Sequence, residues 1–214
     1  MPSIRLALLA LLLPCAAAAH PHVFIDAALT LRYDAQGRLT AIEESWAYDE
    51  LYSLLMLSEI GTPGPGGFAA DQLSRLQRQD AAWDPVAGGV LAVTAAGGSV
   101  PTLPPRPIAM GLEGDRIVSR RLHSLAAPVA GAVPVTIRVF DPTYYVAFSM
   151  PSQVVIQGRA GCTAALQGTE APGDTGTGAL RAALAREMRR TAPGDVQIDF
   201  GAFSDDSIRV RCAG

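Results

Sequence analysis

The chain has 214 residues, 17 of them basic and 20 acidic, for a formal net charge of −3. Every basic residue is arginine, and none falls in a basic cluster or an aromatic-basic stripe, which excludes a nucleic-acid-binding surface. The length suits one ordinary domain that buries its apolar surface without metal staples, and no P-loop or Ser-His-Asp set stands in it, so an enzyme is not expected.

Arg5 is followed by the apolar run Leu6–Leu13, by Pro14 and by the small residues Ala16–Ala19. A basic start, a short apolar core and an A-x-A end read as a secretory signal over residues 1–19, too short to span a bilayer. Cleavage after Ala19 would open the mature chain at His20 in the periplasm. An uncleaved anchor and lipid attachment at Cys15 are the alternatives. No later run is long enough to cross a membrane, so no stable insertion is expected after cleavage, and residues 20–214 are expected to form a single domain.

Val23–Tyr33 alternates as a strand, Asp34–Gly37 is a turn with a glycine suited to positive φ, and Arg38–Tyr48 returns as the second strand of a hairpin. From Asp49 to Ile60 the period becomes helical, with Leu51, Leu54, Leu55 and Leu57 recurring beside Met56. The Gly- and Pro-rich stretch Gly61–Gly67 breaks that helix, and Ala69 to about Gln79 reads as another, with Leu73 and Leu76 facing inward. Together they make a helix-loop-helix insertion over residues 49–80. Gly88–Met150 returns to strands, in short pieces divided by Pro and Gly. Val133–Phe140 alternates with Val135, Ile137 and Val139 on one face and Arg138 on the other, and Tyr144–Phe148 and Val154–Gln157 follow. Gln167–Gly178 reads as a flexible connector. Leu180, Ala183, Leu184 and Met188 mark a helix in the C-terminal half, with Thr177 as its cap and Pro193-Gly194 as its end. Ser207–Cys212 is a final strand. Strands in runs with helical insertions predict an α+β fold, mainly antiparallel and sandwich-like, and not a parallel α/β sheet.

Loss of the signal removes Cys15 and leaves Cys162 and Cys212, fifty positions apart. In an oxidising compartment a disulfide is the simplest reading. The chain-entropy model gives such a staple roughly 4 kcal/mol, before any strain is subtracted. A metal site built on this pair is the alternative, disfavoured because neither cysteine has a second thiol or imidazole within a few residues.

The expected mature chain begins His20-Pro21-His22. The free amine and ring Nδ1 of an N-terminal histidine can chelate one ion, and a second imidazole two residues on can assist. These nitrogens suit Zn, Cu, Ni and Co more than Mg or Ca. Pro21 has no amide proton, so copper or nickel cannot strip successive backbone amides, and side chains must complete the site. Two exposed histidines at a frayed end are the plainer reading. His123, between Arg121 and Ser124, reads as a surface or loop histidine and as a candidate third imidazole.

Four ordered blocks carry a resemblance: His20-Pro-His-Val-Phe-Ile-Asp26, Ser45-Trp-Ala-Tyr-Asp-Glu50, Asp141-Pro-Thr-Tyr-Tyr-Val-Ala-Phe148 and Gly161-Cys162. They resemble the DUF1007 family over essentially the whole mature chain. The resemblance implies a bacterial periplasmic component of an uncharacterised ABC-type transport system, whose relatives are encoded beside nickel/cobalt-type or zinc-linked transporters. It therefore implies handling of a divalent transition metal in service of an inner-membrane permease. On that view Asp141 and Tyr144 are candidates to complete a metal site around His20 and His22, and Asp26 stands behind the ligands or is structural. Equally, Asp141-Pro142 starts a turn, the tyrosines pack, and Asp49 caps the following helix. A transporter-docking module without metal, and a copper-dependent enzyme using an N-terminal histidine brace, are the other readings.

Many members look as if they carry a calcium loop of the EF-hand kind between two helices. The matching stretch here is 61–72. Gly66 and Phe68 stand where such a loop needs glycine and an apolar residue, but Gly61, Pro63 and Pro65 replace carboxylates and Gln72 replaces the bidentate glutamate. Calcium needs six or more oxygens, several of them charged, so none is expected to bind.

Overall fold

The computed structural model describes residues 23–81, 90–141, 145–150, 154–167 and 206–213. Its first element, β1 (Val23–Tyr33), buries Val23, Ile25, Ala27, Leu29 and Leu31 while Phe24, Asp26, Ala28 and Arg32 face outward, as the period of two dictates. Asp34 makes the turn. Its carboxylate accepts from the backbone N–H groups of Gln36 and Arg38 at 3.0 and 2.9 Å, and Gly37 takes φ 70°. β2 (Leu39–Tyr48) then pairs antiparallel with β1, with a register shift between Leu39 and Ala41 on its β6-facing side and between Arg32 and Tyr33 on β1.

Asp49 ends the hairpin and caps α1 (Glu50–Ile60), accepting from the Tyr52 N–H at 2.8 Å. The helix buries Ser53, Met56 and Ile60. Of the leucines that carry the helical period in the sequence, Leu57 packs against the core, but Leu51, Leu54 and Leu55 are 77%, 64% and 55% exposed. α2 (Ala70–Ala81) follows and buries Leu76.

The rest is strand: β3 (Val90–Ala95), β4 (Gly98–Ser99), β5 (Arg106–Glu113), β6 (Arg116–Val129), β7 (Val135–Phe140), β8 (Val146–Ser149), β9 (Val155–Gln157), β10 (Cys162–Gln167) and β11 (Ser207–Cys212). One sheet runs β5-β6-β2-β1-β8, with β9 also on β1; the other runs β10-β11-β7-β3-β4. All pairings are antiparallel except those of β8 and β9, which lie end to end along the free edge of β1 and run parallel to it. The buried faces of the two sheets, with Ile25, Leu31 and Ile42 from one and Val93, Ile137 and Val210 from the other, share one core with α1 and α2. The fold is thus a sandwich-like α+β arrangement. Cys162 and Cys212 stand opposite each other on β10 and β11 and form a disulfide. The helix expected over Leu180–Met188 and its cap Thr177 lie outside the described residues.

Candidate functional site

Two places gather polar chemistry. The first is the start of β1. The Val23 N–H donates to the Tyr145 carbonyl at 3.3 Å, and Phe24 and Asp49 exchange two hydrogen bonds. In one the Phe24 N–H donates to Asp49 Oδ2 at 2.8 Å; in the other the Asp49 N–H donates to the Phe24 carbonyl at 2.9 Å. Asp141, 3% exposed, accepts the Val146 N–H at 2.8 Å, and Val146 is the residue opposite Val23. Three chain segments therefore meet where the first strand begins. Both oxygens of Asp49 are committed to backbone donors, so it acts as the cap. His20, His22 and Tyr144 lie outside the described residues. Asp141 is brought to the end of β1 that His22 directly precedes, with one oxygen accepting the Val146 N–H. Asp26 faces outward and is ion-paired with Arg116 at 2.6 Å. Arg116 also donates to the carbonyls of Ala47 and Tyr48, so the Asp26 pair steadies the junction of β2 with α1.

The second place is inside the sheet. Along β2 and β6 the core-facing positions hold Ile42 opposite His123, Glu44 opposite Arg121 and Trp46 opposite Ser119. Glu44 is 1% exposed and its Oε2 lies 2.8 Å from His123 Nε2. The Arg121 guanidinium stacks 3.6 Å over the Trp46 ring and donates to Asp80 of α2 and to Ser119. The Tyr48 hydroxyl also donates to Asp80, at 2.8 Å. Burial first, and then the neighbouring Asp80 carboxylate, push the Tyr48 phenol well above its ordinary range. Glu44 Oε1, Trp46 Nε1 and Arg121 Nε are buried without a hydrogen-bond partner among the described residues.

His123 is therefore neither on a loop nor at the surface. It lies in β6, is 7% exposed, and is level across the sheet with Leu31 through Ile42. That is eight residues along β1 from Val23, roughly 26 Å at strand rise, while His20 reaches no more than about 11 Å beyond Val23. An ion held at the start of β1 does not draw on His123. Sequence reasoning missed Glu44, Arg121 and Asp80 altogether. Among the described residues no group of three or more His, Cys, Asp or Glu side chains converges as a metal site, and no helix there is long and apolar enough to cross a membrane.

The loop between α1 and α2 does not fit calcium. It holds no carboxylate from Gly61 to Ala70, and the Gln72 side-chain nitrogen is itself hydrogen-bonded to the carbonyls of Ile60, Gly61 and Thr62.

Among family models, the one described as "Protein of unknown function (DUF1007)" matches residues 5–212. No curated protein matches the chain. Among solved structures, the acetylcholine-binding protein type 1 of Biomphalaria glabrata aligns at 10% identity. The alignment covers 99% of this chain and 98% of that one, with a TM-score of 0.36, too low to support an argument from shape.

Proposed function

Because the chain belongs to the DUF1007 family, we propose that it is a periplasmic transition-metal-binding accessory protein serving an inner-membrane permease for zinc, nickel or cobalt. The observation that carries this reading is the anchorage of β1. His20-Pro21-His22 joins directly to a strand whose first two amides are fixed on Tyr145 and Asp49, beside the buried carboxylate of Asp141. A histidine pair on a loose tail binds metal weakly, because each ion must order the chain that holds it. Tethered to a rigid strand end, the pair loses less entropy on binding. Nitrogen donors favour zinc, nickel, cobalt or copper, and a nearby carboxylate such as that of Asp141 suits zinc.

The test is a metal titration of protein whose mature N-terminus at His20 is confirmed by intact mass, beside a form with one extra residue ahead of His20. One-to-one binding at least tenfold tighter than that of a His-Pro-His peptide, and strongly weakened by the extra residue, is the expected result. Affinity no better than the peptide's would end the metal reading.

One observation favours a second reading, that of a docking module without metal. Phe24, Leu51, Leu54 and Leu55 are each more than half exposed, and Phe24 is hydrogen-bonded to the residue that caps the leucine-bearing helix. Partner binding that survives full chelation but is lost in Leu54→Glu would select it.

A further inference from the structure

The α1–α2 connection poses an electrostatic problem at both ends. The last carbonyls of α1 have no further turn of helix to bond them, and the first N–H groups of α2 have no preceding carbonyls. Gln72 answers both with one side chain. Its Oε1 accepts the Ala69 N–H at 2.9 Å, the returning half of a capping box, since Ala69 stands just before α2 and Gln72 is its third residue. Its Nε2 lies 3.1, 3.0 and 3.4 Å from the carbonyl oxygens of Ile60, Gly61 and Thr62. Three acceptors thus converge on a single nitrogen. Gly61 makes room for it: at φ 87°, a Cβ there would stand 3.2 Å from that nitrogen.

We propose that the Gln72 amide occupies, as a neutral built-in donor, the position of a hard cation in this loop. A carboxylate at position 72 would still accept the Ala69 N–H, but its second oxygen would face three carbonyl oxygens. That arrangement is relieved by a cation between them, for which the carboxylate and three carbonyls supply part of the oxygen shell and waters the remainder of the six or more that calcium takes. The amide does the work of carboxylate and ion together, so the helix pair is closed at all cation concentrations. One substitution should convert a cation-indifferent loop into a cation-dependent one. This inference is independent of the metal chemistry proposed for His20 and His22, because the loop supplies only oxygen donors.

The test compares melting temperatures of the full chain and of Gln72→Glu and Gln72→Ala, each in EDTA and in millimolar calcium, with magnesium as a size control. The wild-type chain should melt at the same temperature in both. Gln72→Ala should melt roughly 5 °C lower in both, and Gln72→Glu should melt at least as low in EDTA but regain most of the loss in calcium. Were Gln72→Glu too unstable to purify without calcium, its recovery when refolded in calcium would read the same property. The proposal is overturned if Gln72→Glu in EDTA equals the wild type, if calcium raises it no more than it raises Gln72→Ala, or if calcium stabilises the wild type.

Discussion

The most consequential side chain outside the loops is Glu44. A carboxylate shut away from water costs several kcal/mol unless partnered, and here His123 supplies the one hydrogen bond seen to it among the described residues. Removing that partner leaves the buried carboxyl group without a hydrogen bond, so His123→Ala is expected to lower stability by about 3–5 kcal/mol in urea unfolding. Replacing both, as Glu44→Leu with His123→Leu, should recover most of the loss, and a double-mutant cycle measures the coupling. An equal loss in the single and double variants would mean that packing, not charge, accounts for it. Counted from the start of β2, the alternation misplaces Glu44. Leu39 faces inward, and counting by twos from it puts Glu43 inside and Glu44 outside. The register shift after Leu39 reverses that parity, bringing Ile42, Glu44, Trp46 and Tyr48 to the core. Asp49, by contrast, was legible as a cap because capping depends on the few residues that follow it.

Elements whose cause is local were visible in the sequence: the hairpin with its Asp34–Gly37 turn, both helices, and the alternating β7 and β11. Those that depend on distant partners were not. β6 runs fourteen residues through Pro128 at its end, with Arg120, Arg121 and His123 within it. Read alone it resembles short pieces, and only pairing with both β2 and β5 makes it one strand. β10 carries Cys, Thr, Ala and Gln, weak strand formers for the most part, and is held by β11 alone in its sheet. The disulfide stands at the far end of that pair from Gln167 and Ser207, and locks an edge strand that has no second neighbour among the described residues. Replacing Cys162 and Cys212 together by alanine is therefore expected to lower the unfolding free energy by about 2–5 kcal/mol, with the lowest hydrogen-exchange protection over residues 162–167. Unchanged protection there would show that β10 holds without its staple.

For the whole molecule, alkaline pH is a revealing probe, since the basic residues are all arginine and no lysine blurs the titration. Burial raises the phenols of Tyr48 and Tyr33 above the ordinary tyrosine range, near 10. The unfolded chain ionises these groups near that value while the folded one keeps its protons, so the unfolded state binds fewer protons above it. Stability contributed by the protonated phenols is then complete below about pH 10 and falls as pH rises towards the folded-state pKa, by at most about 1.4 kcal/mol per pH unit for the deeply buried Tyr48 and by less for the half-buried Tyr33. Tyr48→Phe should flatten that slope above pH 10 in denaturant melts by up to the share of one group, even though it loses the bond to Asp80. An unaltered slope would mean that Tyr48 titrates as though exposed.

The order in which β1 acquires its neighbours has a temporal meaning. β2 is available as soon as the first hairpin is made, but β8 and β9, which cover the other edge, come from beyond residue 145, after both helices and most of the second sheet. In a chain delivered N-terminus first, the leading strand spends more than half of the chain's delivery with one side open, a template for wrong pairings. The same edge closes only when β8 arrives. The corner that includes Asp141 is thus assembled after the hairpin and both helices but before β10 and β11 complete the second sheet, and its completion reports that the first sheet has closed on β1.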